Sequence, residues 1–327
     1  MNMKKKIHVL NTEFIINASK ETIDFVIEDI PDIKDSILLN SYAINYIEDE
    51  HEYEQVNKKL TNKKKIIFYG EEEKEKQIID NKVFLVDENS IIINEQGNFT
   101  IIGKNEKAKR TIIYLIREAI YENYILNKNL VLHSAGIELN DKGYPLIGHS
   151  GAGKTTLLME LINKLDANYI TNDILVVNDN DKLIASILPL RIANGSISRF
   201  SDESFTNTKA KSKYEIDRFI KWFNCEVKSD VPLDKILLPH YTIDGRLEIE
   251  EVPSADAFDI IIGQTMNIFD PVRPYMWVNE FEKEAILKTY DINDKVAKLV
   301  DNHKSFSIIY GNNINSNERE KVLRLLK

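Results

Sequence analysis

The chain has 327 residues, of which 43% are hydrophobic, 29% charged and 9% aromatic. This composition is typical of a globular protein and excludes disordered, collagen-like and disulfide-scaffold classes. The excess of 52 acidic over 43 basic residues gives a formal charge of -9, which makes nucleic acid and anionic membranes poor partners. The length favours two domains over one.

The cysteine content and the apolar runs bear on the compartment. The single cysteine, Cys225, cannot form an intramolecular disulfide, and the chain has no CxxC or HExxH spacing for a metal. The apolar run at 7–10 stops at Asn11, which is too early for a signal peptide. No stretch approaches the roughly 18 apolar residues that a membrane span requires. We therefore expect a soluble protein of the cytoplasm.

Residues 1–105 are predicted to form a smaller, strand-rich α+β domain. Seven segments have the alternation or β-branched content typical of strands: KKKIHVL, TEFIINA, ETIDFVIEDI, KKIIFYG, NKVFLV, SIIIN and NFTIIG. The charged segment EEEKEK at 71–76 fits a loop or a solvated helix. Because this part carries no chemical motif, we expect it to recognise a substrate or to form contacts in a homo-oligomer.

Residues 106–127 are predicted to form an amphipathic helix, and we place the domain boundary just before it, so that the second domain covers 106–327. Four apolar residues of this helix recur at a spacing of four: Ile112, Ile116, Ile120 and Tyr124. After it, the segments LVLHSAGIEL, YPLIG, TTLLMELINKL and NYIT give the order strand, strand, glycine-rich turn, helix, strand. This α/β order is typical of nucleotide-binding domains.

The rest of the chain alternates between strand-like and helix-like segments. Strands are predicted in ILVV, KLIASILPL, DKILL, RLEIEEV and SFSIIYG, and helices in KYEIDRFIKWF, SADAFDIIIGQTM and EKEAILKTYDINDKVAKLV. A last helix is predicted to begin at Asn317, with Glu320 three residues later completing a capping box.

The clearest chemical signal is the Walker A segment, a full match to GxxxxGK[ST] that reads Gly148-His149-Ser150-Gly151-Ala152-Gly153-Lys154-Thr155. Its glycines let successive backbone N–H groups point at phosphates, and the following helix adds the positive end of its dipole. Lys154 supplies a charge for the β- and γ-phosphates, and Thr155 a hydroxyl for Mg²⁺. Ser150 and Thr156 either contact phosphate or cap the helix. The segment predicts binding of a nucleotide and Mg²⁺.

Asp173 comes directly after the strand that follows the Walker A helix. A carboxylate at this place holds Mg²⁺ through a water or accepts a hydroxyl proton. The alternative is an aspartate that only caps a helix or a turn. We find no convincing NKxD sequence for guanine recognition, so ATP is favoured over GTP.

The stretch from Leu130 to Val177 resembles the catalytic domain of HPr kinase/phosphorylase and its stand-alone HPr-kinase-like relatives. The resemblance rests on His133-Ser134 just upstream of the Walker A segment, and on Asn172-Asp173 where the family has an Asp-Asp pair. It implies a P-loop fold of the phosphoenolpyruvate-carboxykinase-like type. It also implies ATP-dependent transfer to a serine or other hydroxyl of a peptide, protein or small molecule, with His133 beside the transferred phosphate. Without the resemblance, a buried core histidine is the simpler interpretation.

Three departures from the family pattern limit what the resemblance implies. Asn172 replaces the first acid, and an amide cannot accept a proton, so Asp173 or His133 must act as the base. Thr156 replaces a glutamate of the true enzymes, which weakens the case for a second metal and for phosphorolysis. The C-terminal signature of those enzymes is absent, so HPr is not the expected acceptor. The alternative is a nucleotide-dependent regulatory or binding module without phosphotransfer, for which Asn172 is the best support.

A further cation is expected near the γ-phosphate, because ATP brings several negative charges to an already acidic protein. Arg191, in PLRIANGSISRF, is our candidate, and Arg199 is a weaker one. For each, the competing interpretation is an ordinary surface arginine.

Overall fold

The computed structural model describes residues 2–10, 12–30, 33–34, 40–60, 65–69, 72–80, 82–185, 190–193, 211–214, 216–242, 246–265, 288–311 and 315–326. These residues form a mixed α/β structure with two mixed β-sheets and a two-stranded one. It divides into two units, residues 1–127 with 267–290, and residues 128–266 with 291–327. The boundary predicted at residue 105 lies one helix earlier than this division, and the roles of the two parts stay predictions.

The first unit is built on one nine-stranded sheet with the order β3-β1-β2-β4-β9-β8-β7-β6-β5. Its strands are β1 (Asn2–Leu10), β2 (Thr12–Ser19), β3 (Ile33–Lys34), β4 (Asn40–Glu48), β5 (Lys65–Tyr69), β6 (Glu72–Ile79), β7 (Lys82–Val86), β8 (Ser90–Glu95) and β9 (Asn98–Gly103). The helices in the described part of this unit are α1 (Lys20–Asp29), α2 (Glu50–Lys59) and α3 (Lys109–Leu126). The pairs β1–β3, β2–β4 and β4–β9 are parallel, and the others are antiparallel.

Most of the strands predicted in this unit are confirmed, as is the helix over 106–127, but two predictions are wrong. The segment ETIDFVIEDI is helix α1, because Ser19 caps it by accepting a hydrogen bond from the Thr22 N–H, and Ile23 and Val26 are buried on one face. Residues 72–76 of the charged segment lie in strand β6 rather than in a loop or a helix, because they pair with β5, and Glu75 and Lys76 also pair with β7. Helix α2 was not predicted.

The second unit contains a nine-stranded sheet with the path β17-β14-β13-β10-β11-β18-β20-β19, and β12 pairs with β10 off this path. Its strands are β10 (Leu130–Leu139), β11 (Lys142–Ile147), β12 (Asn168–Thr171), β13 (Ile174–Val177), β14 (Lys182–Ala185), β17 (Val231–Pro232), β18 (Ile236–Tyr241), β19 (Glu248–Val252) and β20 (Ser305–Tyr310). A separate pair of strands consists of β15 (Leu190–Ala193) and β16 (Lys211–Tyr214). The described helices are α4 (Lys154–Leu165), α5 (Ile216–Phe223), α6 (Ser254–Ile262), α7 (Ile292–Asn302) and α8 (Ser316–Leu326).

Three neighbouring strands of this sheet, β11, β18 and β20, run parallel, whereas β10 runs antiparallel beside β11. Helix α4 packs against β10 and β11, and its apolar residues join a core of buried aliphatic and aromatic side chains. The carboxyl ends of the three parallel strands therefore meet at the beginning of α4, which is where an open α/β sheet forms its ligand crevice.

The predicted order strand, glycine-rich turn, helix, strand is confirmed over 130–171, and the later strands are confirmed where the structure describes them. Four helix predictions were too long or displaced. The helix predicted over 254–266 ends at Ile262. Helix α5 begins only at Ile216, because the preceding residues pair in β16. Helix α7 begins at Ile292, capped by Asp291, and residues 282–287 lie outside the described residues. Helix α8 has its capping box at Asn315 and Glu318, two residues before the predicted pair.

None of the helices in the described residues combines the length and the apolar content that crossing a membrane requires.

Candidate functional site

The Walker A segment connects the end of β11 at Ile147 with the start of α4 at Lys154. Gly151 and Gly153 have φ angles of 86° and 95°, in the left-handed region that favours glycine. A Cβ added to Gly151 would meet nothing within 4 Å, so this glycine faces open space next to the helix N-terminus. This is the space that a phosphate needs if backbone N–H groups are to reach it.

Gly153 has a different environment, because two tyrosines from the ends of β18 and β20 pack against it. The Tyr310 hydroxyl donates a hydrogen bond of 2.6 Å to the Gly153 carbonyl, and a Cβ on Gly153 would lie 2.7 Å from the Tyr241 Cβ. The Tyr241 N–H also donates to the Ala152 carbonyl at 3.0 Å. These contacts fix the end of the loop against the neighbouring parallel strands.

The ammonium group of Lys154 lies on the backbone of its own loop. Its Nζ donates to the Gly148 carbonyl at 2.5 Å and to the His149 carbonyl at 3.1 Å, and the residue is only 8% exposed. A buried ammonium next to backbone N–H groups and a helix N-terminus forms a strongly anion-attracting centre. The predicted phosphate-binding lysine is thus held at the first two residues of the segment.

His133 and Asp173, predicted as catalytic residues, lie close together. The His133 Nε2 is 3.5 Å from the Asp173 Oδ1, and their side chains are 45% and 52% exposed. The exposure of His133 is inconsistent with a core histidine, and that of Asp173 leaves its carboxylate open to a ligand. Asp173 is also held from its backbone, since its carbonyl accepts the Ser134 N–H at 3.0 Å.

Asn172, which replaces the first acid of the pair, lies between β12 and β13, both of which pair with β10. Its side-chain oxygen is buried and has no hydrogen-bond partner in the part of the chain that the structure describes. Near it, the side chain of Tyr169 is fully buried. Burial, with a smaller contribution from the negative charge of Asp173, raises the pKa of the Tyr169 hydroxyl well above its usual range. Tyr169 therefore stays neutral and serves as a support.

The His133–Asp173 pair lies at the same end of the sheet as the Walker A segment. In the antiparallel pairing of β10 with β11, Ser134 and Ile147 form the last pair. Beyond it, Leu132 bridges Thr265 and the His133 N–H donates to the Gln264 carbonyl, so residues 264–265 take the place of β11 beside His133. His133 thus directly precedes Ser134, and the Walker A segment directly follows Ile147.

Gln264, which the sequence did not suggest, contacts both His133 and the Walker A segment. Its carbonyl accepts the His133 N–H at 2.9 Å, and its Nε2 lies 3.1 Å from the Nδ1 of His149. Because an amide Nε2 only donates, the His149 Nδ1 accepts, and a neutral His149 ring then carries its proton on the exposed Nε2. Gln264 follows α6 and is 115 residues away from His149, so no local pattern could have revealed it.

The remaining predicted residues have varied positions. Ser150 is exposed, and Thr155 and Thr156 are partly exposed in the first turn of α4. Ser134 is fully buried, with its hydroxyl 2.8 Å from the Ala135 and Leu146 carbonyls, which gives it a structural role between β10 and β11. The backbone of Arg191 lies in β15, but its side chain, and all of Arg199, are outside the described residues.

Mg²⁺ is expected at Thr155 and Asp173. Over the described residues, no group of three or more His, Cys, Asp or Glu side chains is arranged to hold a metal ion. Mg²⁺ in phosphate-binding sites keeps several waters and takes only one or two carboxylates together with phosphate oxygens. One hydroxyl and one half-exposed carboxylate fit that manner of binding, in which a phosphate supplies the other oxygens.

Comparison with known proteins adds no assignment. No known family model matches the chain. No curated protein matches it either.

Proposed function

We propose that the chain is a Mg²⁺-dependent kinase that transfers the γ-phosphate of ATP to a serine or other hydroxyl of a peptide, protein or small molecule. The observation that carries this proposal is the position of the His133–Asp173 pair beside the Walker A segment, at the end of the sheet where β11 leads into α4. A binding site for a polyphosphate alone would not need a polar, half-exposed pair at this place.

The chemistry assigns one role to each group. Transfer forms a bond between the acceptor oxygen and the γ-phosphorus and breaks the bond to the oxygen that bridges the β- and γ-phosphates. Lys154 neutralises charge on the β- and γ-phosphates, and the acceptor proton passes to His133 or Asp173. Mg²⁺, held by Thr155 and Asp173, would neutralise further charge on the phosphates. Asn172 can donate to a phosphate oxygen but cannot take the proton.

The type of kinase follows from the resemblance between residues 130–177 and HPr-kinase-like proteins. We assign the second unit to a P-loop fold of that type, acting in the cytoplasm, with ATP rather than GTP as donor. The motif, its placement between a buried strand and an amphipathic helix, and the neighbouring histidine support this assignment. Arg191 stays the proposed extra cation near the γ-phosphate.

A second candidate is a nucleotide-dependent regulatory module that binds ATP without transferring phosphate. The observation in its favour is the buried amide oxygen of Asn172 at the position of an expected carboxylate. A kinase can tolerate a weak base, because base catalysis typically contributes only about 10²- to 10⁴-fold and charge neutralisation supplies much of the remaining acceleration. We therefore place the kinase first.

The replacement Lys154→Ala tests the nucleotide site. Loss of a buried, charge-assisted contact to phosphate should weaken ATP affinity by roughly tenfold or more, while the protein stays folded. Affinity is measured by titration calorimetry and folding by thermal unfolding. Lys164→Ala, near the end of the same helix, is the matched control and should leave ATP affinity unchanged. Equal ATP affinity in wild type and Lys154→Ala would refute the assigned phosphate site.

The replacements His133→Ala and Asn172→Asp decide between kinase and module. Purified protein is incubated with γ-labelled ATP and cell extract, and labelled acceptors are separated. In a kinase, His133→Ala should lower labelling by about 10²-fold or more with little change in ATP affinity, whereas Asn172→Asp should keep or increase labelling. If neither wild type nor Asn172→Asp labels any acceptor although both bind ATP, the regulatory module is the correct interpretation.

A further inference from the structure

The first strand of the first unit is an edge of its sheet along most of its length. β1 pairs with β2 over eight consecutive residues. On its other side, β3 pairs with β1 only at Val9 and Leu10, and within the described residues no strand pairs with 2–7 on that side. Residues 2–6 are exposed. A row of backbone N–H and C=O groups is therefore open to a further strand.

Most of the devices that usually close a sheet edge are missing from β1. Such an edge is blunted by a very short strand, a bulge, a proline or lysine side chains. β1 has nine residues, an uninterrupted register with β2 and no proline. It does carry three consecutive exposed lysines, Lys4, Lys5 and Lys6. Lysine acts through its charge, so it repels a strand of like charge but attracts one of opposite charge.

The lysines make this edge locally basic in a chain whose formal charge is -9. The stretch that forms β1 and β2, residues 2–19, contains three lysines and a single carboxylate, that of Glu13. The Glu13 carboxylate lies 2.8 Å from the Lys6 Nζ, whereas Lys4 and Lys5 form no ion pair with any described residue. Charges more than about 8 Å away are largely screened at physiological salt, so these lysines decide what the edge attracts.

We propose that the open edge of β1 binds an extended acidic segment of a partner protein, which adds to the sheet as a further strand. In strand addition, main-chain hydrogen bonds supply affinity and side chains supply specificity. Successive side chains of a strand point to opposite faces, so three consecutive acidic residues would match the three lysines on both faces of the sheet. This inference goes beyond the proposed kinase function and does not depend on it.

A second copy of the chain fits this edge less well than an acidic partner does. Its own β1 would bring three further lysines. Its β19 is an acidic edge strand of the second unit's sheet, but one of the three glutamates there, Glu251, is already paired with Lys304 at 3.0 Å. Two copies that each carry a formal charge of -9 also repel each other. We therefore assign the edge to another protein.

Alternate residues of β1 direct their backbone groups to the open edge. Val9 and Thr12 flank a two-residue turn, so they exchange hydrogen bonds with each other. Because such pairs alternate along an antiparallel ladder, Lys5 bonds β2 in the same way, and the N–H groups of Lys4 and Lys6 point outward. Loss of an outward N–H can thus be tested separately from loss of charge.

The test measures binding of a fluorescent peptide to the full chain in the absence of nucleotide. The peptide has three consecutive glutamates between valine and threonine residues, and a comparison peptide has glutamines in their place. Fluorescence anisotropy should show roughly fivefold or more tighter binding of the acidic peptide at physiological salt, and this ratio should shrink at high salt. Amide hydrogen exchange at Lys4 and Lys6 should slow when the acidic peptide is bound.

Two variants and a matched control locate the site. The double replacement of Lys4→Gln and Lys5→Gln should reduce the affinity ratio of the two peptides towards one. Lys4→Pro also removes an outward N–H from an edge that tolerates proline, so it should weaken binding more than Lys4→Gln alone. The double replacement of Lys58→Gln and Lys59→Gln removes the same charge from the exposed end of α2 and should keep the wild-type ratio. If Lys4→Pro folds poorly, hydrogen exchange in the wild type tests strand addition instead.

Three results would overturn the proposal. Equal affinity for the two peptides, or no binding of either, removes the preference for an acidic segment. Tight binding of the acidic peptide without slowed exchange at Lys4 and Lys6 shows attraction by charge without an added strand. A concentration-dependent oligomer in sedimentation that the double variant at Lys4 and Lys5 abolishes assigns the edge to a second copy. Because nucleotide is absent throughout, none of these results bears on phosphotransfer.

Discussion

Two asparagines with buried side-chain oxygens, one in each unit, differ in how those oxygens are satisfied. Asn123, on α3, has partners at both ends of its amide: its Oδ1 accepts from Asn40 and from the Tyr42 hydroxyl at 2.7 Å each, and its Nδ2 donates to Thr12 at 2.9 Å. Asn172 has a buried Oδ1 without a hydrogen-bond partner among the described residues. The same amide therefore connects strands in one unit and is left unsatisfied beside the candidate site in the other.

This difference separates polar groups that stabilise the fold from a polar group that remains unsatisfied beside the candidate site. A buried polar group without a partner costs free energy, so folding alone gives no reason to retain it. Around Asn123 the polar atoms satisfy one another and hold α3 on its sheet. Beside Asp173, the unsatisfied amide lies at the end of the sheet that also carries the Walker A segment. We therefore expect the first group to govern stability and the second to govern activity.

The largest expected effect comes from comparing Asn123→Ala with Asn172→Ala. Asn123→Ala removes the hydrogen bonds to Asn40, Tyr42 and Thr12 together, which should lower the free energy of unfolding by about 3 kcal/mol or more. Asn172→Ala removes an unsatisfied atom and should change stability little while lowering phosphotransfer. Both are measured by urea unfolding and by labelled-ATP turnover. Equal destabilisation of the two variants would refute the distinction.

A second comparison, within the Walker A segment, is between Gly153, which is packed against two tyrosines, and Gly151, which faces open space. Alanine at Gly153 or Gly151 strains a left-handed residue by about 1–3 kcal/mol. At Gly153 the new Cβ also meets Tyr241 and Tyr310, whereas at Gly151 it meets nothing. Gly153→Ala should thus destabilise the fold more than Gly151→Ala, which should mainly weaken ATP binding. Thermal unfolding and calorimetric titration would show both effects, and a reversed order of stabilities would contradict the described packing.

A smaller effect is expected from two carboxylates. Burial, aided by the charge of Glu122, raises the pKa of Glu118 on α3 well above 4.5, so the folded state holds this proton more tightly than the unfolded state. The contribution of Glu118 to stability is fully present below its ordinary pKa of 4.5 and is lost as the pH rises through the raised pKa of the folded state. Glu118→Gln should therefore stabilise the protein at about pH 8, by about 1.4 kcal/mol for each tenfold change in proton affinity, but not at about pH 4.

The contrasting carboxylate is Asp173, which is half exposed, so Asp173→Asn should change the free energy of unfolding less than Glu118→Gln does at about pH 8. Urea unfolding of the wild type and the two variants measures these differences. A gain for Glu118→Gln that is the same at both pH values would show that charge on Glu118 is not the cause.

The sequence predicted the local elements of the candidate site better than the elements around it. The order from β10 through α4 to β12 is encoded by apolar runs, glycines and an amphipathic pattern that are all local. Helix α1 could also have been predicted from the sequence, since Ile23, Val26 and Ile30 have helical spacing and Ser19 is a good N-cap. Our prediction for this segment is a strand, which is wrong. Strand β6 could not be predicted from its own residues, because its charged residues are held in a strand by pairing with β5 and β7.

The tertiary part of the site could be predicted only partly. The closeness of His133 and Asp173 came from the family resemblance, and the strand pairing gives it a physical basis. Gln264 and the two tyrosines at the Walker A segment come from distant parts of the chain, so neither periodicity nor spacing indicates them. The tyrosines do end two parallel strands, and that position is a usable signal once the sheet order is known.

The contact of Lys154 with its own loop has a consequence for which anions the site accepts. An incoming anion must draw the ammonium away from the Gly148 and His149 carbonyls before it can pair with it. A lone orthophosphate brings little charge and few oxygens to this competition, whereas a polyphosphate chain also engages the backbone N–H groups along the bend. If the segment binds phosphate as proposed, Lys154 should therefore favour polyphosphates over single small anions.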